Sequence, residues 1–172
     1  MFVKRLARFG ALVPVLLLGL VPGTASADSG LAASIGSTAT RASLGILLPI
    51  SVTCPAAPND GVTSQSEFGT LNVIQAKGNS KVAVGVATLA SGGKGAFGSP
   101  VPGVSLTCDG TSHDYLVFVG PDLQTDPFTA ALSGGQATAT LSLTVFTFVC
   151  PPCLQPTTTT VTAGPVEIHI KG

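Results

Sequence analysis

Tryptophan is absent from this sequence, tyrosine and methionine occur once each, and only 9% of the 172 residues are charged. Two histidines and eight acidic residues leave few positions for acid–base, metal or nucleophilic chemistry, which depends on such side chains. We therefore expect no enzyme, with no catalytic residue, no metal site and no cofactor. A secreted hydrolase and a thiol–disulfide enzyme are the minor alternatives.

The sequence offers a candidate targeting segment at its N-terminus. Its parts are a basic region, an apolar core and a small-residue cleavage motif: Lys4, Arg5 and Arg8, residues 11–20, and Ala25-Ser26-Ala27. The apolar core is shorter than the ~20 residues of a membrane-spanning helix. We expect residues 1–27 to be a signal peptide, cleaved after Ala27, and the protein to be extracellular or held at the cell surface. A retained N-terminal anchor is the alternative, which the cleavage motif disfavours.

The charge of the predicted mature chain excludes some partners. Without the three basic residues of the signal peptide, five basic and eight acidic side chains remain, a net charge of about −3. Such a chain has no electrostatic attraction for phosphate groups, so we expect no nucleic-acid partner. The remaining 145 residues have the size of one domain with its own core, and no later run predicts a membrane span.

Alternating apolar and polar residues predict strands with one buried face. Residues 44–54 show this best, and the predicted inward side chains are Leu44, Ile46, Leu48, Ile50, Val52 and Cys54. Pro49 lacks a backbone N–H, so this strand lies at an edge, is bulged, or is broken near that point. Residues 137–149 form the longest predicted strand, with either a bulge or an end buried on both sides near Phe146 and Phe148, and residues 166–171 form the last.

Turn residues predict two hairpins. A two-residue loop at Gly78-Asn79 would join two strands and pair Val73 with Val84. The second hairpin, residues 103–119, would turn through a four-residue loop and bring Leu106 opposite Tyr115. This second hairpin would place Cys108 on the inner face of a sheet.

Four cysteines in an exported chain are expected to be oxidised, and three pairings are possible. Cys54 and Cys108 each end an inward-facing apolar stripe, which favours a disulfide between them, across two sheets. Cys150 and Cys153 flank two prolines, and no helix follows that could stabilise a thiolate. We expect a short structural disulfide there; redox exchange, or a zinc site that includes His169, is the alternative.

Neither histidine has sequence neighbours suited to catalysis. Ser112, His113 and Asp114 are consecutive, and consecutive strand residues point to alternate sides, so they cannot form a relay among themselves. His169 lies on the polar side of the last strand and is expected to face solvent. The carboxylates of residues 122–126 are expected to cap a turn.

The pattern predicts an all-β domain. We expect residues 28–42 to be a flexible leader and residues 43–172 to form one β-sandwich of Greek-key type, with about seven or eight antiparallel strands. In strand number and in the placement of Cys54 and Cys108, the chain resembles the immunoglobulin-like modules of small secreted bacterial proteins. It departs from that pattern in lacking the core tryptophan, and Tyr115 follows Cys108 instead of preceding a second cysteine.

We expect a non-enzymatic secreted module that binds other molecules or has a structural role outside the cell. Its contacts would come from residues 56–66, 91–103 and 120–127 or from an exposed sheet edge, and its partner would be a protein or a cell-envelope component. The alternative is a small-ligand carrier, similar to the secreted apoproteins that hold an antibiotic chromophore. Its apolar cleft would be lined by Phe97, Phe128, Phe146 or Phe148.

Overall fold

The computed structural model describes residues 24–26, 30–78, 81–91, 103–123, 130–152 and 155–172. Within these ranges the chain contains strands and no helix, which confirms the all-β prediction. The described residues therefore include no membrane-spanning helix. The described strands are β1 (Thr24–Ser26), β2 (Ala32–Ile35), β3 (Thr38–Arg41), β4 (Ile46–Thr53), β5 (Thr63–Lys77), β6 (Lys81–Ser91), β7 (Gly103–Leu106), β8 (Ser112–Pro121), β9 (Gly135–Val149) and β10 (Thr157–Lys171).

Seven of the described strands hydrogen-bond side by side in a closed ring, so the domain is a barrel. The order is β3, β4, β8, β6, β5, β9 and β10, and β10 returns to β3 in a parallel junction. The other junctions of the ring are antiparallel. Two of them are short, because β3 meets β4, and β6 meets β8, through two residue pairs each. The strands therefore form one hydrogen-bonded ring instead of the two separate sheets expected.

Three described strands lie outside this ring. β2 pairs with the second half of β4, β1 pairs with β2, and β7 lies parallel to the end of β6. Both β2 and β3 fall within residues 28–42, which were expected to form a loose leader. Leu31, Ile35 and Ala39 of this segment are at most 1% exposed, because alternate side chains point into the barrel. The segment is therefore part of the folded core.

Inward-facing aliphatic side chains fill the barrel, as the alternation predicts. Leu141 and Leu143 of β9 are fully buried, and a fully buried leucine contributes about 1.5–3 kcal/mol to folding. Leu44 was expected to extend the inner face of β4, but it lies in the turn before the strand and is 73% exposed. The inward residues of β4, at most 2% exposed, are Ile46, Leu48, Ile50 and Val52.

Pro49 lies where the partner of β4 changes from β3 to β2. β3 pairs as far as Leu47, and β2 pairs from Ile50 onward. Between them the Gly36 N–H donates to the Pro49 carbonyl oxygen at 2.9 Å. A β-carbon on Gly36 would lie 2.7 Å from Pro49 Cγ, so glycine permits this approach. The prediction that β4 lies at an edge, is bulged or is broken near Pro49 is wrong, because β4 is continuous and pairs on both sides; the interruption falls between its neighbours β3 and β2.

β5 and β6 form the predicted hairpin with a register shifted by one residue. Lys77 pairs with Lys81, and Val73 pairs with Gly85 instead of Val84. The shift occurs because the strands are separated by three residues and not by two. As a result Gly85 and its alternate neighbours in β6 face inward, where their small size leaves room for another side chain.

Leu132 occupies that room and closes one end of the barrel. It is 4% exposed, and a β-carbon on Gly85 would lie 2.6 Å from Leu132 Cδ1. Gln75, on the inner face of β5, donates from Nε2 to the Ser133 carbonyl oxygen at 2.8 Å and accepts at Oε1 from the Ser133 N–H at 2.9 Å. Lys77 Nζ donates to Ser133 Oγ. We call this the capped end, defined by Gln75, Leu132 and Ser133.

β7 and β8 do not form the predicted hairpin. β7 lies beside β6, with Leu106 paired to Ser91, whereas β8 pairs along the whole of β4. A β-carbon on Gly103 would lie 2.1 Å from the Thr88 carbonyl oxygen, so this glycine allows β7 to lie against β6. Tyr115 still touches the segment after β7, because its hydroxyl accepts a hydrogen bond from the Thr107 N–H at 2.8 Å.

The end of the barrel opposite the capped end carries the predicted disulfide. Cys54 and Cys108 are bonded, with their Cα atoms 4.8 Å apart, and the Gly110 N–H donates to the Cys54 carbonyl oxygen at 3.0 Å. The bond joins the end of β4 to the loop before β8; it does not cross the middle of two sheets. Cys150, at the same end, is also disulfide-bonded, and its predicted partner Cys153 lies outside the described residues. We call this the disulfide end.

The bulge expected near Phe146 and Phe148 is absent, because in that part β9 pairs without a shift with β10, from Leu141 to Thr147, and with β5, from Thr138 to Val149. The irregularity instead lies in β10, between Ala163 and Val166, where Gly164 has a φ of 100°. Phe146 and Phe148 are half-buried on the outer face of β9. The threonine run of residues 157–160 begins β10 and is therefore a strand.

Candidate interaction surface

The outer face shared by β4 and β8 has an apolar half. It consists of the cross-strand pairs Leu47–Phe118 and Pro49–Leu116, together with Leu44 before β4. Leu116 is 61% exposed, Phe118 47% and Leu44 73%. These side chains point outward because the alternate residues of both strands take the inner face. We call these five residues the apolar patch.

The patch is continuous across the two strands. Directly paired side chains on one face have β-carbons about 4.5–5.5 Å apart, so the two pairs adjoin each other. A β-carbon on Gly45 would lie 3.1 Å from Phe118 Cζ, which places the ring of Phe118 next to the turn that carries Leu44. Single exposed leucines are ordinary on protein surfaces, whereas large contiguous apolar patches mark interaction sites.

The other half of this outer face is polar. Ser51 is paired with Asp114 across the strands, and the Ser51 hydroxyl donates to the Asp114 carboxylate. Thr53 is paired with Ser112 in the next outward position. The face therefore passes from apolar to polar along its length, and polar residues border the apolar patch on that side.

The loop that leads into β8 carries a separate polar cluster, which involves His113 on the other side of that strand. Asp109 Oδ1 accepts from the Thr111 N–H at 2.9 Å and from Thr111 Oγ1 at 2.7 Å, and it lies 2.9 Å from His113 Nε2. The hydrogen bonds from Thr111, followed by that from His113, hold the pKa of Asp109 well below its usual value. These contacts favour the ionised form of the carboxylate and tie Asp109 to Thr111 and His113.

This cluster lacks the geometry of a catalytic relay. In such a relay the histidine uses one ring nitrogen for the carboxylate and the other for the nucleophile. Here His113 Nε2 lies 2.9 Å from Asp109 and 3.1 Å from Thr111 Oγ1, so one nitrogen serves both groups. Asp114 is engaged by Ser51 on the outer face, on the side of β8 opposite to His113.

The remaining sequence candidates are placed as follows. His169 is exposed on the outer face of β10. In the described part of the chain, no three His, Cys, Asp or Glu side chains are grouped so that they could hold a metal ion. Of the predicted contact loops, residues 92–102 and 124–129 lie outside the described residues. In residues 56–66, Asp60 accepts from the Val62 and Thr63 N–H groups at 2.9 and 2.7 Å, an arrangement that shapes a turn.

The apolar patch was not among the sequence candidates. The predicted hairpin placed Leu116 on the more polar side of a sheet, where a single apolar residue does not indicate a binding surface. The signal existed at Leu116 and Phe118, two consecutive outward positions of a strand whose inward positions are also apolar. An apolar residue on both faces of a strand indicates a second burial surface.

Comparisons with known proteins identify no relative of this chain. No protein-family model, no curated protein and no solved structure matches it. A functional conclusion for this protein therefore depends on its own surface, charges and topology.

Proposed function

We propose that this chain is a secreted, non-enzymatic binding module and that the apolar patch is its contact surface. The observation that carries the proposal is the exposure of Leu116 and Phe118 side by side on a regular strand. Removing apolar area from water contributes roughly 25 cal/mol per Å², so covering the patch would contribute favourably to the free energy of binding a partner. The partner class is a protein or a cell-envelope component with a complementary apolar surface.

Export fits the structure of the ring. β1 lies inside the predicted signal peptide and, among the described strands, forms its ladder with residues 32–34 of β2. Because β1 is not one of the seven ring strands, cleavage after Ala27 would leave the closed barrel intact. N-terminal sequencing of protein collected from culture fluid tests this, and we expect the first residue to be Asp28.

We also propose that the barrel is related to the immunoglobulin-like sandwich. β2, β4 and β8 form one side, and β6, β5, β9 and β10 form the other. One support is that the two sides are joined only by the short β3–β4 and β6–β8 junctions among the described strands. A second is that consecutive strands change sides: β2 pairs antiparallel with β4 on one side, and β3 then pairs parallel with β10 on the other. Faster amide exchange at Gly120 and Arg41, in the short junctions, than at the centre of β9 would support two sheets joined at their edges.

The carrier alternative receives less support. Phe146 and Phe148 face outward, and Phe97 and Phe128 lie outside the described residues. Fully buried leucine and isoleucine side chains fill the described interior, and Leu132 closes the capped end. We therefore do not advance a carrier function.

The proposed surface is tested by paired substitutions that keep the fold. The mature protein, used as bait against proteins and envelope fragments of the producing cell, is compared with a Leu116→Ser/Phe118→Ser variant. Ile74 and Val82 provide a matched control, because they are 52% and 47% exposed on the outer face of β5 and β6. We expect the wild type and the Ile74→Ser/Val82→Ser variant to recover the same partner in equal amounts.

The patch variant is expected to lose that partner by at least about tenfold, because removal of one central apolar anchor at an interface costs about 1–2 kcal/mol or more. Equal recovery by both variants would show that the patch is not the contact surface. Loss in both would show that exposed apolar residues act non-specifically.

A further inference from the structure

The inner face of β5 changes from apolar to polar towards the disulfide end. Leu71 and Val73 are fully buried, as expected for a core strand. Two inward positions nearer the start of β5 are occupied by Glu67 and Gln65, which share this face because alternate strand residues point to one side. Glu67 is 4% exposed, so this acidic residue is buried. An ionisable residue facing a barrel interior calls for a partner.

The described residues do not provide that partner. Gln65 Oε1 is buried and accepts no hydrogen bond. None of the hydrogen bonds or ion pairs between described residues reaches the Glu67 carboxylate; the contact made by this residue outside the strand ladder is from its backbone N–H to Ser91 Oγ at 3.3 Å. Leaving the buried Gln65 Oε1 unpaired is costly, and the Glu67 carboxylate beside it is open to a donor.

Ser91 brings a third oxygen next to the backbone of Glu67. It ends β6 beside Glu67, and its hydroxyl oxygen has a second lone pair after it accepts from the Glu67 N–H. Gln65 and Glu67 are two residues apart on one strand, so their Cα atoms are about 6.7 Å apart and both side chains can reach a common point. Ser91 and Gln65 are partly exposed, so this point borders the surface.

We propose that Glu67, Gln65 and Ser91 form a binding site for a primary alkylammonium group. Such a group carries one positive charge and three N–H donors, which match one carboxylate and two neutral oxygen acceptors. A divalent metal ion fits less well, because Ca²⁺ takes about 6–8 oxygen ligands and several carboxylates, whereas Glu67 is the one carboxylate here. The ammonium group could belong to a small amine or to a lysine side chain of a partner protein.

This site lies at the disulfide end and is independent of the apolar patch. The test uses the purified protein labelled with ¹⁵N and follows the side-chain amide resonances of Gln65 by NMR. The probes are n-butylammonium, a short lysine-containing peptide, tetramethylammonium and Ca²⁺, at constant ionic strength. We expect a saturable shift with the first two probes, and the tighter of these two identifies the source of the ammonium group.

The Glu67→Gln variant is expected to bind n-butylammonium at least about tenfold more weakly, because it removes the charge from the strongest hydrogen bond of the site. The matched control is Glu167→Gln, which removes an exposed carboxylate from β10 and should leave the affinity unchanged. The proposal is overturned if no saturable shift occurs, if tetramethylammonium acts like n-butylammonium, if Ca²⁺ binds instead, or if both variants lose affinity equally. Retained far-ultraviolet circular dichroism shows that the variants are folded.

Discussion

Gln75 and Gln65 lie on the inner face of the same strand, yet their surroundings are opposite. Gln75, at the capped end, both donates to and accepts from the backbone of Ser133. Gln65, towards the disulfide end, has a buried Oε1 that accepts no hydrogen bond. A glutamine side chain in this strand thus has hydrogen-bond partners at the capped end, whereas the other glutamine leaves a buried acceptor unpaired towards the disulfide end.

The difference shows how the two ends are stabilised. The capped end is closed by non-covalent contacts, with Leu132 inserted above Gly85 and fixed through Gln75. The disulfide end is held by the Cys54–Cys108 bond and by the Asp109 loop. Covalent bonds hold an end together without requiring every polar group there to be paired, so that end can keep acceptors for a ligand. The following predictions test this contrast, in order of decreasing effect.

The largest effect is expected at the disulfide end. The Cys54→Ser/Cys108→Ser variant opens a loop of 54 residues, which should lower the free energy of unfolding by about 4 kcal/mol in the chain-entropy model. Urea unfolding of the oxidised protein and the variant measures this. A loss below about 1 kcal/mol would mean that non-covalent contacts hold this end as they hold the other.

The next effect separates the two glutamines. Gln75→Leu leaves the Ser133 N–H and carbonyl oxygen unpaired near the core and should cost about 2 kcal/mol. Gln65→Leu removes an acceptor that has no donor and should change stability by less than about 0.5 kcal/mol or increase it. Equal losses for the two variants, measured by urea unfolding, would remove the contrast between the ends.

A smaller effect of opposite sign is expected at Glu67. In the absence of any amine, Glu67→Gln replaces an acidic side chain that accepts no hydrogen bond from a described residue, and it should raise the free energy of unfolding by about 1 kcal/mol. Differential scanning calorimetry at neutral pH measures the change. A destabilised variant would indicate that the carboxylate already has a stabilising partner in the free protein.

The smallest effect concerns pH and Asp109. Its pKa is lowered in the folded protein, so its ionised form contributes stability above the ordinary value of 3.8, and this contribution is lost as the pH falls towards the lowered pKa. The Asp109→Asn variant should therefore melt slightly below the wild type at neutral pH. The two melting temperatures should converge in strong acid, and a difference that grows with acidification would contradict this assignment.

Much of the fold could be predicted because alternation acts locally. The inner faces of β4, β9 and the end of β10 follow from residues two apart, and the pairing of Cys54 with Cys108 follows from where two such stripes end. The partner of β8 could not be predicted, because the choice between β7 and β4 depends on Gly103 fitting against Thr88, which is distant in sequence. Leu44 was misplaced because alternation does not show where a strand begins.

The candidate sites were harder to predict than the fold. The apolar patch became visible only when Leu116 of β8 was placed beside Pro49 of β4. For Gln65 and Glu67, a local signal was available, since both have the parity of Leu71, but an isolated acidic residue at an inward position has no meaning until its neighbours are known. Burial and hydrogen-bond partners are properties of the tertiary structure, and they carried both proposals.

The contrast between the two ends is tested most directly by the ¹³Cδ chemical shifts of the glutamine side chains, because this nucleus moves downfield when Oε1 accepts a hydrogen bond. In the free protein, we expect Gln75 to resonate clearly downfield of Gln65. Addition of n-butylammonium should move Gln65 towards Gln75 and leave Gln75 in place. If the two glutamines resonate together in the free protein, both ends are equally satisfied and the contrast is wrong.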